Sequence, residues 1–297
     1  MKEIDFINII KNISKSAYIG DDCAYLKDIG IVVTQDNFVE DVHFKKDWAT
    51  PFQLGYKSTV INISDVLASG AKPEYVTVGL SIPKSTDDEF IEEFYRGVNA
   101  GLYGAELVGG DITSADKIFV SITAIGSAFN RTISSRSNAK AGYAIILSGE
   151  CGSSAAGLNC LINGINNKYL IKSHLEPQLN LSFSEEISKN INVPYAMMDT
   201  SDGLADALYK IAEASNVTIK TAISKIPHNE NVNDIKTILY GGEDYKLVAA
   251  LPKTFLSNLS HYYLIGEVID KQDNTKLIID DKAYCSYNEF EIYNHFD

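Results

Sequence analysis

Six aspartates carry the chemical information in this chain: Asp22, Asp36, Asp65, Asp111, Asp199 and Asp202. Each stands at an apparent element end in the company of Gly, Ser or Thr, and two share the string Asp199-Thr200-Ser201-Asp202-Gly203. One Asp-Gly or Gly-Asp step is ordinarily a turn. Six at comparable junctions point to ligands presented by loop ends on a rigid scaffold. Hard carboxylate oxygens select Mg²⁺, which commonly bridges protein carboxylates to substrate phosphates. The nitrogen and sulfur ligands of a zinc site are missing at any clustered spacing. The chemistry indicated is Mg²⁺-dependent phosphoryl transfer. Such a site repels each phosphate charge by about 3 kcal/mol per pair at roughly 5 Å and an effective dielectric of about 20. Nucleotide therefore enters only with cations.

The composition sets the frame for those residues. The 297-residue chain is 45% hydrophobic and 22% charged, which is enough apolar material for a packed core and excludes extensive disorder. Its 26 basic and 39 acidic residues give a net charge of −13, a field that repels nucleic-acid backbones and anionic membranes. Four scattered cysteines (Cys23, Cys151, Cys160 and Cys285) form no C-x-x-C pair and read as buried small hydrophobes in a reducing compartment. The acidic, amphipathic N-terminus lacks the apolar stretch of a signal peptide, and no apolar run approaches the roughly 20 residues of a membrane span. The expectation is a cytoplasmic protein without nucleic-acid or membrane partners.

The elements that must position the aspartates are legible in the apolar periodicity. It predicts helices over 2–13, 51–69 and from Ser85 to about Tyr103. Strands are expected at Ile31–Thr34, Tyr75–Ile82, Ile118–Ile125 and Tyr143–Ser148. A polar stretch around 130–142 suits a domain junction, and strands alternate with helices on both sides of it, so the fold class is α/β or α+β. The familiar nucleotide signatures are missing: there is no G-x-x-x-x-G-K-[ST] loop, no G-x-G-x-x-G fingerprint and no H-R-D or D-F-G string. The small-residue run Gly152–Gly157 admits two readings, a phosphate cradle at a helix start or close packing of that helix.

Taken in order, the motifs resemble the thiamine-monophosphate kinase family. They are Gly20-Asp21-Asp22-Cys23-Ala24, Thr34-Gln35-Asp36 with His43-Phe44, Gly55-Tyr56-Lys57 leading to Asn62-Ile63-Ser64-Asp65, and Gly109-Gly110-Asp111. Gly152-Ser153-Ser154-Ala155-Ala156-Gly157-Leu158, Met198-Asp199-Thr200-Ser201-Asp202-Gly203-Leu204 and Gly241-Gly242-Glu243-Asp244-Tyr245 follow. The resemblance runs from about residue 18 to Tyr293. It implies an aminoimidazole-ribotide-synthetase-like architecture of two domains. Residues 1–137 would bind ATP and Mg²⁺ and pair their sheets in a homodimer, and residues 138–297 would form an α/β domain that completes the site.

By the same resemblance, Asp22, Thr34, Gln35, Asp36, Asp65, Asp111, Asp199 and Asp202 are implied as contacts to several Mg²⁺ ions, with Gln35 departing from the Ser or Thr common at its position. Asp111, Asp199 and Asp202 are implied as catalytic. Tyr95, Gly110, Asp111, Arg136 and Ser201 would contact ATP, and His43, Glu243 and Tyr293 the acceptor, thiamine monophosphate. The implied reaction is direct in-line transfer to give thiamine diphosphate. Another ATP-dependent synthetase of the same superfamily and a catalytically silent nucleotide- or Mg²⁺-binding module are the competing readings.

Overall fold

A computed structural model describes the backbone of residues 3–290 and the side chains of residues 6–290; Tyr293 lies outside the described residues. After helix α1 (Glu3–Ser14), the first half forms a five-stranded sheet in the order β1-β2-β5-β3-β4. Its strands are β1 (Ala24–Leu26), β2 (Ile31–Val39), β3 (Lys72–Ile82), β4 (Glu106–Ser114) and β5 (Phe119–Ser127). Helices α2 (Pro51–Ala68) and α3 (Asp88–Ala100) interrupt them in sequence. Burial alternates strictly along β5, as expected for a strand with one face on a core. Val120, Ile122 and Ala124 are buried, while Ser121, Thr123 and Ile125 face the other way.

The second half forms a seven-stranded sheet in the order β12-β11-β8-β10-β6-β9-β7. These strands are β6 (Tyr143–Leu147), β7 (Ala196–Asp199), β8 (Thr218–Thr221), β9 (Leu247–Pro252), β10 (Tyr263–Ile269), β11 (Leu277–Ile279) and β12 (Lys282–Tyr284). Helices α4 (Ser153–Asn163), α5 (Lys168–Leu175), α6 (Leu181–Asn190), α7 (Leu204–Ser215) and α8 (Ile235–Tyr240) complete it. The result is a mixed α/β chain with two sheets. Among the described residues no helix is long and apolar enough to cross a membrane.

Helix α2 joins the halves. Thr50 and Gln53 form a reciprocal capping box at its start, with Pro51 in the first turn. Fourteen of its eighteen residues are buried, so it has no solvent face and must be covered on every side. The first sheet and α3 cover part of it, and α5, α6 and β7 cover the rest. One apolar cluster accordingly runs from Val32, Val78 and Ile122 of the first sheet through Ile63 and Leu67 to Phe183, Ile187 and Met197.

The α2–α3 contact is made backbone to backbone. A Cβ added at Gly97 would lie 1.9 Å from the Phe52 carbonyl oxygen, and one at Gly55 would lie 2.0 Å from that of Phe94. Neither neighbour is a side chain that can swing away. Gly97→Ala is therefore expected to destabilise the protein by about 3 kcal/mol or more, because helix separation outweighs the roughly 1 kcal/mol gained in helix propensity. Chemical denaturation measures it; a midpoint at or above that of the wild type would contradict the close crossing.

Candidate functional site

Three carboxylates from three elements converge. Asp22 precedes β1, Asp65 lies in α2 and Asp199 ends β7, and their ligand oxygens lie within 4.8 Å of one another. Each holds one anchored oxygen. Arg136 Nη2 donates to Asp22 Oδ1 at 2.8 Å, Thr34 Oγ1 to Asp65 Oδ2 at 2.6 Å, and Ser64 Oγ to Asp199 Oδ2 at 2.5 Å. Asp36 is positioned through its backbone N–H, which donates to Asn62 Oδ1 at 2.8 Å.

The electrostatics of this cluster are unfavourable without a cation. Burial, then the neighbouring Asp36, Asp199 and Asp22, push the Asp65 carboxyl well above the ordinary range despite the Thr34 hydroxyl. Burial and Asp22 push Asp199 up to about 7. Burial and the same acids raise the thiol of Cys23, which leaves a protonated, inert sulfur beside the cluster. An all-oxygen set that is hard to ionise together suits a hard divalent cation. Arg136 is the one guanidinium tied into it. Its Nε is buried without a hydrogen-bond partner, a donor that an anionic ligand would satisfy.

A second group of side chains lies farther along α2. Lys57 Nζ is 3.2 Å from Glu243 Oε2, and His174 Nδ1 is 3.4 Å from the same oxygen. Burial would raise the Glu243 carboxyl, but Lys57, His174 and His43 outweigh it and hold the group below its usual value. His43 Nδ1 accepts the Val39 N–H at 3.0 Å, so its ring proton sits on Nε2 as a donor.

The sequence expectations divide accordingly. The structure brings Asp22, Thr34, Asp65, Asp199 and Arg136 together. The Thr200–Gly203 turn follows β7 directly, and Ser201 N–H donates to Asp199 Oδ1 at 3.3 Å. Asp202 stands half in solvent and pairs with Lys210 at 3.1 Å. Gln35 is a correction: strand alternation puts it on the sheet face opposite Thr34 and Asp36, and its amide is bonded to Ser121 and Thr123. Its side chain is thus kept from the carboxylates.

Gly110 and Asp111 lie apart as well. The pairing row Asp36–Ile122–Val78–Gly110 crosses three strand spacings, about 14 Å. Gly110 itself is required by its strand, since a Cβ there would lie 1.9 Å from the Val78 carbonyl oxygen. Tyr95 packs edge-on to Phe94 in α3 at 5.4 Å and lies half-buried against the apolar cluster.

Two broader expectations also change. Asp36, Asp65 and Asp111 sit inside β2, α2 and β4, so regular elements, not loop ends, carry half of the aspartates. The Gly152–Gly157 run is a packing device. Asp244 accepts the Gly152 and Ser154 N–H groups at 2.5 and 2.8 Å, occupying the helix start. A Cβ at Gly157 would lie 2.0 Å from the Leu170 carbonyl oxygen. Lys57 and His174 received no role from the sequence. Lys57, the single cation of α2, was the one available signal; His174 offered none.

Residues 20–128 match the family "AIR synthase related protein, N-terminal domain". The chain is 34% identical to the thiamine-monophosphate kinase of Bacillus subtilis, over 96% of this chain and 99% of that protein. A solved structure of AaThiL complexed with AMPPCP and TMP superposes with a TM-score of 0.89 at 30% identity, covering 99% of this chain and 97% of that one. A HypE–HypF complex structure shares the fold at a TM-score of 0.76 and 20% identity, covering 95% and 98%.

The buried carboxylates make a signed prediction. A carboxyl whose folded pKa is raised is best tolerated while protonated, and it destabilises the native state increasingly as pH rises from the ordinary carboxylate range through the raised value. In EDTA at pH 8, Asp65→Asn should raise the thermal midpoint by about 2–6 °C, and by less at pH 5. The Thr34 hydroxyl can still donate to the new amide oxygen. A lower midpoint for the variant at pH 8 would show that repulsion does not dominate this cluster.

Proposed function

The chain belongs to the thiamine-monophosphate kinase family, and on that premise we propose how its residues carry the reaction. The enzyme transfers the γ-phosphoryl group of ATP to the phosphate of thiamine monophosphate, giving ADP and thiamine diphosphate. The observation that supports this assignment most directly is the Asp22–Asp65–Asp199 cluster, with Arg136 and its unsatisfied Nε alongside.

We assign Asp22, Asp65 and Asp199 as the centre of a Mg²⁺ site, with Asp36, Thr34 and Asp202 at its margin. When bound, the ions supply charge neutralisation for the β- and γ-phosphates. The chain's own part is orientation. Thr34, Ser64 and Arg136 each fix one carboxylate oxygen, leaving the second oxygen of Asp22 and of Asp65 for ligation. Arg136 and Ser201 contact nucleotide, His43 Nε2–H donates to the acceptor, and Glu243 and Tyr293 take its organic part. An oxygen of the acceptor phosphate attacks the γ-phosphorus while the bond to the β-bridging oxygen breaks. That oxygen is already anionic near neutral pH, so no strong base is required, in keeping with a centre built of Asp and not His. The reading divides the chain into 1–137, holding most of the ATP and Mg²⁺ site, and 138–297, which completes it. The unpaired thiols of Cys23, Cys151 and Cys160 accord with a cytoplasmic location.

A homodimer accounts for Asp111. Strand β4 is at the edge of its sheet, with Val108 and Ile112 each more than half exposed. Beyond the short β1, no strand among the described residues pairs the outer edge of β2 from Thr34 to Val39, where the Asn62 and His43 side chains take the Asp36 and Val39 N–H groups. Tyr75 and Phe119 are exposed on the sheet face away from α2. Pairing these edges across a two-fold axis would bury them and bring Asp111 of the partner subunit toward Asp36. The site would then span two chains.

Two experiments address this reading. ADP release should require both thiamine monophosphate and Mg²⁺, with unphosphorylated thiamine a poor acceptor; efficient turnover of free thiamine would reject the acceptor assignment. For the shared site, Asp36→Asn and Asp111→Asn should each be inactive, yet mixing them after subunit exchange should restore activity in heterodimers, which regain one intact site. Failure to recover activity once exchange is verified would place Asp111 in its own chain's site or outside both.

A further inference from the structure

We propose that Lys57 and His174 are positioning residues for the acceptor: they hold Glu243 by Oε2 and leave Oε1 to recognise an amino or cationic group of the substrate. The assignment rests on the function proposed above for Glu243 and adds two residues to it. Both side chains are almost fully enclosed, at 3% and 4% exposure, whereas that of Glu243 is 28% exposed. Charge is thus supplied from inside and presented outward.

The hydrogen-bond directions close on one arrangement. The Lys57 ammonium can only donate, and it lies 3.4 Å from His174 Nε2 and 3.2 Å from Glu243 Oε2. Nε2 therefore accepts, and the His174 ring proton sits on Nδ1. That proton is directed between Ser154 Oγ at 3.1 Å and Glu243 Oε2 at 3.4 Å. Burial, then Lys57, hold His174 neutral, with its pKa pushed down to about 4. One cation and one carboxylate remain, linked directly and through a neutral ring.

The loop backbone needs this support. Glu243 and Tyr245 adopt φ of 65° and 51°, a left-handed conformation that non-glycine residues keep only when their surroundings enforce it. The Glu243 N–H donates to the Ser201 carbonyl at 2.7 Å, tying the loop to the turn after Asp199. Lys57 and His174 also line a small void with His43, Trp48 and Phe38.

Steady-state kinetics on the full-length enzyme separate positioning from mere folding. His174→Leu should raise the KM for thiamine monophosphate roughly tenfold or more, the size of one lost hydrogen bond to a charged group, with the KM for ATP unchanged and kcat within about threefold. His174→Asn, which can place an amide donor near the Nδ1 position, should recover most of that loss. Lys57→Met leaves the Glu243 carboxylate without its cation and costs stability, so the decisive form is Lys57→Met in a Glu243→Gln background. There, neither Lys57→Met nor His174→Leu should raise the acceptor KM beyond that of Glu243→Gln alone. Additive effects, or equal losses for acceptor and ATP, overturn the proposal. Nitrogen-15 NMR of the wild-type protein at pH 7 is independent of any substrate: a neutral His174 protonated on Nδ1 is expected, and a ring protonated on Nε2 would refute the arrangement even if the kinase assignment stands.

Discussion

The mutual repulsion of Asp22, Asp65 and Asp199 is the constraint on which the rest of the structure depends. Carboxylate oxygens confined within 4.8 Å of one another cannot all ionise in a buried setting without a compensating charge. The protein supplies one guanidinium, two hydroxyl donors and one backbone N–H directly to the three groups. That is enough to orient them and too little to neutralise them. The shortfall leaves a cluster suited to a cation, and a cation held there would let a chain of net charge −13 act on phosphates. A fully neutralised cluster would be more stable and would have no affinity for metal.

Holding such groups together requires a stiff support, and α2 provides it. A helix covered on every side cannot relax the repulsion by swinging outward. Ser64 reaches from α2 to Asp199 on the second sheet, Asn62 orients the Asp36 backbone in the first, and Asp65 contributes its own carboxylate. Tyr56 extends the same connection to the Pro177 carbonyl at 3.1 Å. The short contacts of Gly55 and Gly97 follow from this role, because α3 must approach closely to complete the cover. The two halves of the chain are thereby registered against each other at the site itself.

Much of this was legible in the sequence. The spacing of Leu54, Val60, Ile61, Val66 and Leu67 marked α2 within a residue of its observed end, and Thr50-Pro51 marked its start. Asp22, Asp65 and Asp199, the acids that the fold brings together, also stood out in the sequence, because acids beside small residues are scarce. Their surroundings were not. Asp36 and Asp111 read as strand ends because glycine and polar residues break the apolar pattern, yet the backbone pairing of β2 and β4 continues through them. Gln35 was misplaced because the strand was expected to stop at Thr34; β2 runs on to Val39, and alternation then sets Gln35 opposite Thr34 and Asp36. The Asp244 cap on α4 joins residues 90 positions apart, and nothing local announces it.

On the roles proposed above, the same helix also fixes the length of substrate the site would take. Lys57 and Asp65 are eight residues apart on α2, about 12 Å along the axis at 1.5 Å per residue. Lys57 sets the position of Glu243, a carboxylate kept ionised and open to a positive or amino-bearing group. Asp65 sets the position of the carboxylate cluster, proposed above to face phosphate through Mg²⁺. A molecule with a cationic or amino end and a phosphate end meets both when its ends lie a comparable distance apart. Free phosphate satisfies only one of them, and an unphosphorylated organic cation only the other. Because both anchors belong to one rigid, buried helix, the separation is not adjustable, and acceptor discrimination becomes a matter of length as well as charge. The Glu243–Ser201 backbone bond reinforces this by coupling the organic end of the site to the turn that follows Asp199.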